Sequence, residues 1–441
     1  MIIISFIVFL IGLFYGAAWY IYVLPLGYSI VNLIFPKSIQ CFSDNIINKV
    51  YQITLFIRFV FVPLLLIFSH KNNYYNTYIT LEDDVLSLSA FIMCVELFFS
   101  LLVVQFFLKK KKKFIQSEYI KSDNKLFFLI VSLLCLSVYF IEPSVIENLN
   151  FILTLESISG DKIISNGFSV IFSFILITFP LFLISYIRDS KLENKFKFIL
   201  TLLLLTPFIL FMQGSSRLSF LIPLLSWFSV ILIVYPNYRR HISYGFYIVV
   251  AFLLTSLTLI KSFNSDNDSS VGLDLNSLTL YFNAYFSNIY NVAYGIFTYN
   301  NLDYTHKYLF FNDFFQNVAF LNQFVNRDFT SNILFNRTIY GHSLWADQIV
   351  PVISQSIFYF GLLGAPILSS ILTFCMVYIS NKLNNINRIS YIYIYSYMGC
   401  WFAASFNMLN ISSVIGSFTN YFLPLLILFI LGNKFIKSVK L

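Results

Sequence analysis

FKFILTLLLLTPFILFMQ (196–213) leads into GSSRLSFL (214–221), which opens SFLIPLLSWFSVILIVYP (219–236). Two apolar runs therefore flank a short polar turn, and each approaches the ~20 residues that a helix needs to cross hydrocarbon. The only charge in the turn is Arg217. A tight connection between two membrane spans has no architectural need for a guanidinium, so its side of the membrane and its partner become the questions to answer.

The rest of the chain repeats the pattern. Of 441 residues, 58% are hydrophobic, 20% aromatic and only 11% charged, and the mean hydropathy is +0.78. No soluble core uses that much apolar surface. A β-barrel would show short alternating segments instead of solid runs. The expectation is an all-α, polytopic membrane protein forming one membrane domain over residues 1–441. The five cysteines, Cys41, Cys94, Cys135, Cys375 and Cys400, lie mostly inside apolar runs without CxxC spacing, which suits packing residues better than metal or disulfide partners. The first run lacks a charged leader and a small-residue cleavage site, so no cleaved signal peptide is expected.

Spans are expected near 3–24, 48–69, 85–108, 126–142, 167–187, 197–213, 218–235, 244–262, 361–380, 391–409 and 415–432. That makes about eleven, or twelve if residues 1–35 hold two short helices instead of one tilted one. Basic residues then fall on one side: Lys109 to Lys113, Lys121 and Lys125, then Arg188 to Lys197, Arg239 and Arg240, Lys382 and Arg388, and Lys434 to Lys440. The positive-inside rule makes that side cytoplasmic. The net charge of +8 is thereby a membrane signature and not a nucleic-acid one.

The opposite, extracytoplasmic face holds Arg217 and a long segment over 263–360. That segment is expected to be partly helical, because in HKYLFFNDFFQNVAFLNQFVN (306–326) apolar residues recur with helical period from Phe310 to Val325. The pattern also runs from Tyr281 to Ile296. Such helices lie in the outer interface or pack on the top of the bundle.

Several polar residues there need explaining. Arg217 either snorkels at the interface or binds an anion beside Ser215, Ser216 and the backbone N–H groups of a helix start. Arginine in place of lysine favours bidentate binding of phosphate oxygens. VNRDFTSNILFNRTIYGHSLWADQIVP (325–351) adds Arg327, Arg337, His342 and Asp347. His342 is an interfacial histidine or a base; Asp347 caps a helix or assists. Arg58, inside the second span, is read as pairing structurally or snorkelling in preference to binding substrate. No P-loop, HExxH, GxSxG, DxD or Cys/His metal spacing occurs. No cofactor or metal is therefore expected, and any chemistry uses a substrate activated beforehand.

A GSSR turn between central spans, a long late outer loop, and GHSLWADQIVPVISQSIFYFGLLGAPIL (341–368) together resemble the Wzy-type repeat-unit polymerases of O-antigen and capsule, grouped with the O-antigen ligases. In that stretch His342 and Ser343 lead into an aromatic helix ending at Gly361 and Gly364; Ser343 stands where ligases often carry Asn. The resemblance implies a GT-C-like fold in a bacterial cytoplasmic membrane with the site facing outward. It implies oligosaccharide units on undecaprenyl diphosphate as substrates, membrane lipids as surroundings, a chain-length regulator as a partner, and no nucleic acid. Arg217, with Arg327 or Arg337, would neutralise the departing diphosphate. His342 would be the general base, with Asp347 orienting it or replacing it.

Overall fold

The computed structural model describes residues 1–69, 79–109, 120–121, 123–151, 167–213, 217–242, 244, 275–301, 306–318, 321–340, 350–406 and 410–439. The early helices are α1 (Ile2–Phe14), α2 (Trp19–Ile34), α3 (Ile46–Ser69), α4 (Asp83–Phe107), α5 (Lys125–Ile141) and α6 (Gly167–Asp189). Next come α7 (Asn194–Leu210), α8 (Arg217–Val234), α9 (Leu275–Tyr285), α10 (Ile289–Asn300) and α11 (His306–Phe315). The last are α12 (Ser331–Tyr340), α13 (Val352–Phe360), α14 (Pro366–Leu383), α15 (Ile389–Ala403) and α16 (Ile411–Gly432). One two-stranded antiparallel ribbon joins β1 (Leu149–Phe151) to β2 (Phe211–Gln213).

Among the described residues, five helical segments are long and apolar enough to cross a membrane: α3, α4, α6, Leu362–Leu383 and α16. A sixth results if Phe220–Val234 and Pro236–Ile242, bent by 109°, form one span. This is an all-α membrane protein by length and composition. Helices α1, α2 and α5 are apolar but shorter. The first apolar run is two helices and not one: Gly16 has φ +65°, a conformation that glycine adopts without strain, and the chain reverses there. Ser5 then donates to the carbonyl of Pro25 at 2.8 Å. The expected span at 197–213 stops at Leu210, and 211–213 form β2. The expected span at 244–262 lies almost wholly outside the described residues.

The chain divides into two compact units. Unit 1 comprises Met1–Lys111, Ser270–Asn381 and Gly399–Thr419. Its helices pack closely where side chains are small: a Cβ on Gly27 of α2 would lie 2.8 Å from Cys94 Sγ of α4, and one on Gly295 of α10 would lie 2.1 Å from Ser354 Oγ of α13. Basic and amide groups close one end, where Lys37 Nζ donates to Gln105 O at 2.8 Å and Lys109 N to Asn381 Oδ1 at 2.9 Å.

Unit 2 comprises Lys112–Ser269, Lys382–Met398 and Asn420–Leu441. Trp227 of α8 meets Tyr393 of α15 with ring centroids 4.3 Å apart, and Phe128 of α5 meets Phe429 of α16 at 5.5 Å. Its basic segments also share an end. Lys125 pairs with Asp189 at 2.6 Å, Arg188 donates to the carbonyl of Ile120, and Lys121 N donates to Asn387 O at 2.7 Å beside Arg388. Tyr235, four residues before Arg239, donates to the carbonyl of Lys197 at 3.2 Å. Within each unit, then, loops of like charge gather together, as a chain sorted by the positive-inside rule requires.

Candidate functional site

The long segment expected to lie outside the membrane is a set of short helices, and asparagine side chains start or join them. Asn288 accepts from the N–H of Ile289 at 2.6 Å and caps α10, which separates it from α9. The break follows Ser287, whose φ is +47°. The single helix that periodicity suggests from Tyr281 to Ile296 is therefore two. From Ile289 to Ile296 every residue of α10 is buried, so it is a core helix and not an interfacial one. Helix α11 behaves differently: it ends at Phe315, short of Val325, and leaves Tyr308, Phe310 and Phe311 exposed.

Helices α11, α12 and α13 are joined by one carboxylate. Asp313 of α11 is fully buried. Its Oδ1 accepts from the N–H of Ser331, the first residue of α12, at 2.9 Å, and its Oδ2 accepts from the Tyr359 hydroxyl of α13. A carboxylate at a helix start satisfies an orphan donor and faces the positive end of the helix dipole. Gln355 of α13 extends the network, donating to Ser331 Oγ at 2.8 Å and accepting from the N–H of Ile411 at 2.7 Å. Burial nevertheless prevails over these bonds and pushes the Asp313 carboxyl up to about 6. Burial and the neighbouring carboxylate together push the Tyr359 hydroxyl well above its ordinary value.

The sequence-derived site residues distribute as follows. Ser215, Ser216, His342 and Asp347, with Ser343, lie outside the described residues. Arg217 is the first residue of α8, four positions after Gln213, the last residue of β2. The backbone of Gln213 pairs with Leu149 of β1. Arg327 and Arg337 are exposed, Arg327 in the bend before α12 and Arg337 in the last turn of α12. They belong to unit 1 and Arg217 to unit 2.

One hydrogen bond places the residue that follows 341–349. Val350 N donates to Asn332 Oδ1 at 3.1 Å. The chain therefore leaves α12 at its last turn, beside Arg337, and rejoins it beside its first.

The composition-based reading missed a second polar site. Arg58 of α3 and Glu96 of α4 are each 1% exposed, and Arg58 Nη2 approaches Glu96 Oε2 to 3.0 Å, although the N–H does not line up on the oxygen. Ser369 of α14 donates to Glu96 Oε1, and the rings of Phe59 and Phe406 lie 5.5 and 5.6 Å from the guanidinium carbon. Arg58 sits in a π-helical turn, Ile57–Phe61. Such a turn displaces a carbonyl from its helical partner; the Arg58 carbonyl takes its bond from Asn288 Nδ2 at 2.6 Å. The structural pairing expected for Arg58 is present; Glu96 as its partner was overlooked, because one acid within a long apolar run barely alters its hydropathy. Among the described residues, no group of three or more His, Cys, Asp or Glu side chains is placed to hold a metal.

No protein-family model, no characterised protein and no solved structure matches this chain.

Proposed function

We propose that the protein polymerises lipid-linked oligosaccharides at the outer face of a bacterial cytoplasmic membrane. The acceptor sugar hydroxyl attacks the anomeric carbon of the donor chain. The bond to undecaprenyl diphosphate breaks with inversion, and the hydroxyl proton passes to His342, oriented by Asp347. Arg217, with Arg327 or Arg337, neutralises the diphosphate as it leaves, and a contact of this type is worth ~3–4 kcal/mol in the transition state. The observation that supports the reading is the bond from Val350 N to Asn332 Oδ1: it sets the residue after 341–349 beside the first turn of the helix whose last turn carries Arg337, next in the chain to the stretch with a base and an acid.

The test is a strain lacking the gene. Its surface polysaccharide is sized by gel and its lipid-linked glycans are identified by mass spectrometry. Single repeat units on their normal acceptor support polymerisation. Long chains left on the lipid carrier indicate a ligase instead. Arg217→Ala, at normal membrane level, is expected to abolish chain growth and Arg217→Lys to restore it only in part, since a point charge loses the bidentate geometry. Full activity of Arg217→Ala would remove the anion site from the scheme.

One observation favours a second reading, transport of a lipid-linked oligosaccharide. A transporter needs charge within its spans, and Arg58 with Glu96 supplies it. Single lipid-linked units trapped on the cytoplasmic side in the deletion strain would select that reading.

A further inference from the structure

The Arg58–Glu96 pair lacks the completion that a sealed structural ion pair requires, which is a hydrogen bond for every remaining proton and lone pair. Arg58 Nε is buried with no directed partner among the described residues, and Arg58 Nη2 and Glu96 Oε2 meet only each other, at 3.0 Å. Leaving such groups dry is far more costly than thermal energy permits, and polar interior sites of this kind are where ordered water resides.

Further buried polar groups recur one helical turn from the pair. Ser100 is one helical turn beyond Glu96 on α4, and Thr373 is one turn beyond Ser369 on α14. Both hydroxyls are buried without a directed partner among the described residues. The Tyr51 hydroxyl of α3 lies within reach of the Thr373 hydroxyl, without a directed bond. Next to it, Gln52 Oε1 accepts from Tyr28 at 3.2 Å while its Nε2 is unmet. Farther along the same helices Asn45 Nδ2 donates to Ser380 Oγ at 2.9 Å and Ser380 to Asn48 Oδ1 at 3.0 Å, toward the end of unit 1 that carries Lys109. In the other direction Asn288 holds the Arg58 carbonyl, and the buried Asn283 amide beyond it has neither its donor nor its acceptor met.

We propose that Glu96 is a proton-binding site reached by a water-lined polar path through the apolar interior of unit 1. The path enters past Asn48 and Gln52. Glu96 accepts on its carboxylate a proton that hydronium delivers along the path, leaving water, and becomes a neutral acid. The ion pair to Arg58 is then lost, while the guanidinium keeps its charge against the Phe59 and Phe406 rings. The other charged groups on the elements packed around Glu96 are Lys37, Lys49, Asp83, Asp84 and Lys382, all at helix ends. Arg58 is therefore the charge that governs the site. The inference goes beyond both readings above, and its test measures protonation and not sugar transfer.

Infrared spectra of the full chain in lipid vesicles, taken between about pH 8 and about pH 4 in H2O and D2O, read the carboxylic acid directly. An acid band is expected to grow as pH falls, to shift at once in D2O and to be missing in Glu96→Gln, which separates it from Asp313. Should Glu96→Gln fold poorly, Ser369→Ala keeps the carboxyl and is expected to shift the band by removing its hydroxyl partner. The double variant Ser100→Ala/Thr373→Val is expected to retain the band but slow its exchange roughly tenfold, the effect of ~1.4 kcal/mol on a barrier. No acid band in the range, no shift in Ser369→Ala, or unchanged exchange in the double variant would each overturn the proposal and leave a sealed clamp.

Discussion

Glu96 and Asp313 are two acids of one unit, both withdrawn almost completely from solvent, and they are held by opposite means. Glu96 sits between apolar spans and is compensated by a full charge, Arg58 at 3.0 Å, with one hydroxyl from Ser369. Asp313 sits among short helices and meets only dipoles: the N–H of Ser331 and the hydroxyl of Tyr359. A charge compensated by a charge leaves its partner uncompensated when it is removed or neutralised. A charge compensated by dipoles takes up a proton and keeps its partners.

That contrast breaks most visibly at Arg58. Arg58→Met leaves an uncompensated carboxylate in the interior and is expected to destabilise the protein by ~3–5 kcal/mol, whereas Arg58→Met/Glu96→Leu should recover most of the loss. Thermal unfolding in detergent measures both, and a double variant no better than the single would show that the pair does not act as a unit.

The Asp313 effect is read through pH. Its carboxyl rises from 3.8 to about 6 on folding. Between these values the folded chain keeps a proton that the unfolded chain has released. Stability is therefore greatest below the window, falls as pH rises through it, and levels off above about 6. The full swing is ~3 kcal/mol. Asp313→Asn should flatten the slope; an unaltered slope would assign it to another group.

Smaller effects sharpen the comparison. Tyr359→Phe and Ser369→Ala each remove one hydroxyl from a buried acid, and each should lower stability by ~1–2 kcal/mol. Only Tyr359→Phe should also move the Asp313 window upward, because the lost bond favours the ionised form.

The legible parts of the fold follow from local physics. Apolar runs set the helical membrane class, and the basic loops announced that they would gather. Asn288 could have been read as a cap, since an asparagine before an apolar helical pattern is a start signal. That α10 is a core helix could not be read, because Tyr281 to Ile296 has the same period as the more exposed α11. Of the candidate site, the adjacency of Arg337 and the stretch carrying His342 is written in the sequence, but the bond from Val350 to Asn332 is not a sequence pattern.

The sequence by itself determined that this chain is a helical membrane protein with sorted charge, because hydropathy and period are properties of neighbours along the chain. Tertiary structure alone decided that residues 1–35 fold back at Gly16, that Asp313 starts a helix eighteen residues away, and that Glu96 receives Arg58 and Ser369, the latter 273 positions along the chain. Those pairings depend on which helices lie side by side. Apolar helices of similar length present similar faces, so the choice among them rests on a few glycines, hydroxyls and charges whose partners are distant in the chain.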